Sequence, residues 1–553
     1  MENRKRLFPA SSGPLSRRRM LGGTLAAGTG LSAAALVGCG GDDDDDDSAA
    51  GTGDPASATA TPATEVSNSN EADYPEEFVF ALATEPEDLM PYYGGFDHAI
   101  ALRSVNETLM NVVVTDDDGD GVGDVEFLPE LAESWEQTDE DLFVFHLRPG
   151  VKFHDGTPWN AETAVSCIET FMDADAAAEL GKYAMIPRYL ANAEAVDERT
   201  LQVRTLRPMV ARELFGFAFY FGFSAFSPQA LEELGMQGMG EAPIGTGPYR
   251  FESWDRGQDI RMVRNEAYWG ELPNMERLRF IARQEASVRA QTVQSGEAHL
   301  AFNIGAEQGT SLEHSVVGGG FQSTTLRLNN QVGPTSDQRV REAINYAIDR
   351  EGINEAIFLG TAQPIGFFAY QAPVEPWPYD PERARALVQE AGVEGQRLEL
   401  VYGEMRIPEE DSLAEIYREQ LQAVGLDVEL RRVESGQYSE IDQGPIEDLP
   451  PLFMETTSGG NYGELHLHLT GFYGCEGQGT FCDPELEEEF DELLQLEGEE
   501  RRVWIEDLAT RIHDENAPRA WVLAVNQVHG LAPNVETDFG MNVYVNAKDI
   551  SWV

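Results

Sequence analysis

The chain has 553 residues, of which 97 are acidic and 39 basic, giving a formal net charge of −58. Its length is several times that of a common domain, so at least two folding units and a large buried core are expected. The charge balance excludes a nucleic-acid footprint, which needs clustered basic side chains. Lysine occurs only at Lys5, Lys152, Lys182 and Lys548, a pattern that fits a salt-screened setting and equally a genome rich in arginine codons.

The N-terminus reads as an address. Ser16-Arg17-Arg18-Arg19-Met20-Leu21 resembles the twin-arginine (Tat) export pattern, and a small apolar run to Gly38 follows it. Leu36-Val37-Gly38-Cys39 resembles a lipobox, which implies removal of residues 1–38 and lipidation of Cys39. The run is too short and glycine-rich for a comfortable membrane span. Residues 39–73 carry six consecutive aspartates and then mostly Ala, Ser, Thr, Gly and Pro. Such a segment cannot bury a core and is expected to be a disordered tether.

Phe78 to Leu82 predicts the first strand, and Leu89-Met90-Pro91-Tyr92-Tyr93 a loop in which Tyr92 and Tyr93 are candidates to face a ligand. Asp116, Asp118 and Asp120 occupy the first three acidic positions of a calcium loop, with Gly121 and Asp124 also in place. Phe127 stands where the bidentate glutamate belongs, and the flanks read as strands. A structural calcium and a solvated acidic hairpin turn both remain open here. No other cofactor is called for.

Phe143 to Leu147 predicts a strand, Pro149-Gly150 a turn, and Asn160 the cap of a helix running to Met172 with Cys167 buried inside it. His146 and His154 have no nucleophile near them and read as structural. Pro243-Ile244-Gly245-Thr246-Gly247-Pro248 suggests a phosphate loop. No Gly-Lys-Ser/Thr follows, however, and the next element reads as a hairpin, Tyr249–Trp254 and Asp259–Arg264 around Gly257. A structural crossing is the stronger reading.

Val340, Ala343, Ile344, Ala347 and Ile348 make one helical stripe. Helices are also predicted after Asp380-Pro381, through Leu413 to Val424, after Asp483-Pro484, and over Val503–His513. Strands are predicted at Leu398–Tyr402, Leu426–Val433 and Arg519–Val528. The strand–helix–strand rhythm predicts a mostly parallel, helix-covered α/β sheet.

Several blocks together resemble the family 5 extracellular solute-binding proteins, the dipeptide- and oligopeptide-binding lipoproteins of ABC importers. They are Leu131-Ala132-Glu133-Ser134-Trp135, Phe145 through Gly156, Gly245-Thr246-Gly247-Pro248-Tyr249, Asn265-Glu266-Ala267-Tyr268-Trp269-Gly270, and Arg339 through Arg350. The resemblance covers about residues 76–530. It implies a two-lobed periplasmic-binding-protein fold of type II, enlarged by an extra subdomain, with a hinge between the lobes. Core lobe I would comprise 74–115, 245–325 and 525–553, the inserted subdomain 116–244, and the second ligand-binding lobe 326–524. The implied function is capture of a peptide or similar small solute and delivery to membrane permease subunits, with no catalysis, by a monomer lipid-anchored outside the cytoplasmic membrane.

In an exported protein Cys475 and Cys482 are expected to form a disulfide closing a small loop. Ligand contacts are expected from Asn329, Asn330, Arg406, Glu455, Ser458, Asn461 and Glu464, besides the two tyrosines. The family's amine-pairing aspartate has no clean match, and Glu455 or Glu464 would have to substitute. Glycans and nickel chelates therefore stay open as solutes. His466 and His468 alternate, which would put both on one side of a strand as metal ligands. An exported hydrolase is the rival class, but no nucleophile–base motif supports it.

Overall fold

The computed structural model describes residues 75–90, 96–115, 124–173, 189–221, 223–368, 374–403, 407–442, 444–457, 465–475, 480–537 and 546–552. The leader, Cys39 and the aspartate-rich tether lie outside these residues.

Strand β1 (Glu77–Leu82) is followed by the helix Phe96–Val105 and by a hairpin of β2 (Met110–Thr115) and β3 (Asp124–Pro129). Asp116, Asp118 and Asp120 lie outside the described residues. Strands β4 (Ala132–Asp139), β5 (Leu142–Leu147), β6 (Leu190–Asp197) and β7 (Thr200–Thr205) form a separate antiparallel sheet in the order β4-β5-β7-β6. The helix Ala161–Met172 belongs to this unit. The Thr163 amide donates to Asn160 Oδ1 at 2.9 Å while Thr163 Oγ1 accepts from the Asn160 amide, a reciprocal cap that starts the helix where the sequence places it. Ala164, Cys167, Ile168 and Phe171 then face the sheet, buried.

The chain returns as β8 (Tyr249–Asp255), β9 (Asp259–Arg264), β10 (Arg277–Ala282), β11 (Leu300–Ala301) and the 14-residue β12 (Ser315–Leu328). Gly257 takes the positive φ of 76° that the β8–β9 turn requires. After β13 (Gln363–Pro364) come β14 (Arg397–Tyr402), β15 (Asp427–Arg432), β16 (Leu452–Thr457) and the 13-residue β17 (Arg519–Leu531). A last antiparallel pair is β18 (Val535–Glu536) with β19 (Ser551–Trp552).

The large sheet runs β15-β14-β16-β12-β17-β11-β1-β10-β9-β8, with β13 beside β17. This differs from the mostly parallel sheet expected. Parallel pairing is confined to β14 with β15 and β16, and to β1 with β10 and β11. Between those two blocks lie β12 and β17, antiparallel to each other and to the strands beyond. The strand–helix–strand rhythm holds locally in each block, but it says nothing about the two long strands that join them. Their ladder shifts register between Gly318 and Phe321 and again at Thr324–Thr325, so the joining ribbon bends at those points.

On the β14–β16 side, Asp337 caps the helix Gln338–Ala347. Val340, Ala343, Ile344 and Ala347 sink into the core there, with Ile348 behind them. Complete burial of the valine and isoleucine alone contributes about 1.5–3 kcal/mol each. The helix Pro381–Ala391 starts at Asp380 and stops at Gly392, whose φ is 70°. Leu465–Tyr473 is a helix, not the strand that its His-Leu alternation suggested. Its buried positions Leu465, His466, Leu469 and Tyr473 follow the three-to-four spacing of a helix, so His466 and His468 do not share a face.

Candidate functional site

Two polar centres stand out, and the first is the crossing at Pro243–Tyr249. A Cβ on Gly245 would lie 2.2 Å from Val105 O, and one on Gly247 2.6 Å from Ser104 O. Only glycine permits this approach to the end of the helix Phe96–Val105. The Gly247 amide donates to Val105 O at 2.8 Å, and the Gly247 carbonyl accepts from His154 Nε2 at 2.9 Å and Asn265 Nδ2 at 3.2 Å. The backbone groups of Gly247 are thus consumed internally, leaving no cradle for phosphate.

Beside the crossing, the buried carboxylate of Glu107 accepts from the Tyr268 hydroxyl at 2.6 Å and Trp269 Nε1 at 2.9 Å. Burial, then the nearby Glu130, push Glu107 up to about 7 despite these donors. Arg148 lies over the Trp269 ring at 4.3 Å. Arg148, His154, Gly247, Tyr268 and Trp269 come from three of the sequence blocks that carried the resemblance, and all meet in this joint. Burial pulls His154 down to about 4, so it is a neutral structural histidine.

The second centre lies on the central strands. Glu455 of β16 meets Arg327 Nε of β12 at 3.1 Å and Arg519 Nη1 of β17 at 2.5 Å, and Asp442 pairs with Arg327. All three strand residues are buried. Arg327 lies over Phe453 at 4.1 Å, and Arg519 over Phe472 at 4.5 Å. Phe368, Trp521 and Tyr473 extend this aromatic wall, with Trp521 Nε1 donating to the Tyr473 hydroxyl at 3.0 Å. Glu455, expected to pair with a solute amine, is already paired with two guanidinium groups, one of them shared with Asp442.

Asn329, expected to contact the solute, is fully buried and braces the chain internally. Its Nδ2 donates to Ile446 O and Leu449 O, and its Oδ1 accepts from the amides of Gln331 and Val332. Asn330 Nδ2 donates to Leu328 O and Pro518 O. The Asn330 amide donates to Thr480 O, within the loop closed by the Cys475–Cys482 disulfide. That disulfide is the one expected. His466 is sequestered between the Tyr189 hydroxyl (2.9 Å) and Asp491 (3.1 Å), not offered to a metal. Among the described residues no group of three His, Cys, Asp or Glu side chains is placed to hold a metal ion.

Tyr92, Tyr93, Arg406, Ser458, Asn461 and Glu464 lie outside the described residues. The strands that lead to two of their segments are informative all the same. β14 and β16 are adjacent and parallel, with Val401 beside Phe453, so the chain leaves Gly403 and Thr457 at the same edge of the sheet. In α/β sheets that edge, outside the carboxyl ends of the strands, is where ligands bind.

The architecture is that of the two-lobed periplasmic binding proteins. A peptide-bound DppA from Helicobacter pylori matches with a TM-score of 0.73 at 20% identity, covering 86% of this chain and 98% of that one. A dipeptide-binding protein from Pseudoalteromonas sp. SM9913, solved with Met-Leu, matches with 0.74 at 18% identity over 86% of this chain and all of the other. NikZ from Campylobacter jejuni, solved with Ni(L-His), matches with 0.72 at 18% identity, covering 86% and 99%. In sequence, the glutathione-binding protein GsiB of Escherichia coli is 29% identical over 326 residues. Those residues are 57% of this chain and span 62% of the length of that relative. The model of the bacterial extracellular solute-binding proteins, family 5, matches residues 126–449, and the chain belongs to that family.

Proposed function

We propose that this protein is the extracytoplasmic receptor of an ABC importer, capturing a peptide or peptide-like solute between two lobes. The observation that carries this reading is the division of the large sheet into two parallel blocks joined through β12 and β17. A body built this way bends about its connecting strands, and a solute held between the halves favours the closed form. We assign 74–115, 245–325 and 525–553 to the first lobe, 116–244 to an inserted subdomain and 326–524 to the second lobe. Tat export and a lipid on Cys39 would place the protein, as a monomer, at the outer face of the cytoplasmic membrane beside its permease. No catalytic step is part of this reading, and the acidic loop at Asp116–Asp124 is a candidate for a structural calcium.

The solute is expected to touch the segments holding Tyr92, Arg406 and Ser458 to Glu464. One observation favours a second reading, a non-peptide solute such as a metal chelate or glycan: Glu455 is committed to Arg327 and Arg519. The test is mass spectrometry of small molecules that co-purify with the native protein, followed by thermal-shift titration with them. A solute at a hundredfold its Kd stabilises by about 2.7 kcal/mol. If dipeptides, glutathione, nickel–histidine and oligosaccharides all leave the melting temperature unchanged, and nothing co-purifies, the receptor assignment fails. Turnover of any of them would favour the hydrolase class instead.

A further inference from the structure

The unit built on the β4–β7 sheet touches the C-terminal helices along a seam that neither sheet crosses. Glu213, in the first turn of the helix Ala211–Phe221, meets Arg501 of the helix Gly498–Arg511 at 2.6 Å. Their side chains are 3% and 4% exposed. Around them the Val210 amide donates to Leu494 O at 2.7 Å, and Leu494 packs into the core of the β4–β7 unit. At the rim Arg207 pairs with Asp491, which also accepts from His466, and His466 meets the Tyr189 hydroxyl. The seam therefore has a desolvated ion pair at its centre and a half-exposed polar border.

We propose that Glu213 and Arg501 are a closure latch, setting the balance between closed and open arrangements of the inserted subdomain and the second lobe. The inference rests on the receptor reading for the motion itself, and it assigns that motion a controlling pair. The physical reason lies in where the charges go. Two charges buried inside one rigid unit have no way back to water short of unfolding. Two charges buried across a seam are rehydrated whenever the seam opens. The contact is Coulombic, without hydrogen-bond alignment, and Arg501 Nε meets no acceptor among the described residues. Its desolvation is therefore only partly offset, which keeps the closed state close in free energy to the open one. Removing one charge leaves the other buried and uncompensated only while the seam is shut, so it drives opening. Replacing both with apolar side chains of similar size removes the desolvation cost and drives closing.

The test is a distance measurement between spin labels at Val196→Cys and Val503→Cys, both about half exposed and on opposite sides of the seam. It uses the full chain with Cys39→Ser, free of solute. Glu213→Gln should raise the open-to-closed ratio on the order of tenfold or more. Glu213→Met with Arg501→Met should return the short distance at least to its original share. Should Glu213→Gln not fold, Arg501→Lys keeps the charge while shortening its reach, and a smaller gain in the long distance is expected. An unchanged distance in folded Glu213→Gln or Arg501→Lys, or a double variant as open as the single one, overturns the latch. The distances need no solute, so this outcome is separate from the failure of every solute to bind.

Discussion

Arg327 and Arg350 are both buried, with 0% and 4% of their surface exposed, yet the protein stabilises their charges in opposite ways. Arg327, on the central strand, is ringed by carboxylates. Burial pulls its pKa down, but Glu455 and Asp442 outweigh that and leave it raised. Arg350, at the start of the helix Arg350–Ile357, has only dipoles around it. Its guanidinium donates to the carbonyls of Trp521, Asn345 and Trp377 and to Asn345 Oδ1. Burial pulls it down to about 10. Arg289 and Arg341 are held by carbonyls in the same fashion. Opposite charges fasten strands from distant parts of the chain, whereas carbonyl cages fasten the ends of helices. The difference shows most clearly in a group that can give up its proton. His529 also has a backbone partner, Gly318 O, and burial takes it down to about 4, so it is neutral where an arginine stays charged.

The largest effect should come from breaking the acid-paired centre. Glu455→Gln removes the carboxylate shared by Arg327 and Arg519, leaving Arg327 to Asp442 alone, and should cost about 3–5 kcal/mol in urea unfolding; a loss below about 1 kcal/mol would mean that those charges reach water. Arg350→Met leaves several carbonyls dry but no unpaired charge, so about 2–3 kcal/mol is expected by the same measurement. Equal losses for the two variants would erase the distinction.

The smallest effect is that of pH. Unfolding releases His154 and His529 to an ordinary value near 6.5. Their contribution is therefore present above about 6.5 and lost as the pH falls towards their folded value of about 4. Glu107, raised to about 7, has the opposite sign: its contribution is full below about 4.5 and lost as the pH rises through 7. The histidines outweigh it, giving a net loss of roughly 1–2 kcal/mol between pH 7 and 5. Melting curves at the two pH values check this, and Glu107→Gln should steepen the loss by removing the offset. Greater stability at pH 5 would overturn the assignment of neutral buried histidines.

The local punctuation of the fold was legible in the sequence. Asn160, Asp380 and Asp483 cap the helices they announce, and Gly257 turns the chain where expected. These signals act within four residues, so the chain carries them without knowledge of its surroundings. Leu465–Tyr473 misled because two histidines alternating with leucines imitate a half-buried strand, while the three-to-four spacing emerges only over the full nine residues. The central antiparallel ribbon was not legible, since its pairing joins segments about 200 residues apart. Shorter but still non-local separations, 120 and 64 residues, hid the fate of Asn329 and Glu455: both residue types suit ligand contact, but Leu449 and Arg519 claim them first. Glu213 and Arg501 carried no signal at all, and the helices that hold them, Ala211–Phe221 and Gly498–Arg511, were respectively unpredicted and predicted to start only at Val503.

The placing of β1 has a consequence for how the chain is made. Glu77–Leu82 lies in the interior of the large sheet, between β10 and β11, and the strand beyond β11 is Arg519–Leu531. The first of the described strands to leave the ribosome must wait about 200 residues for its neighbours and more than 400 for the strand that completes the ribbon. Contacts so remote in sequence slow folding, because loop closure precedes any gain from pairing. The antiparallel β4–β7 unit, contiguous from Ala132 to Thr205, can form during synthesis, while the sheet around β1 is complete only after β17 has been made.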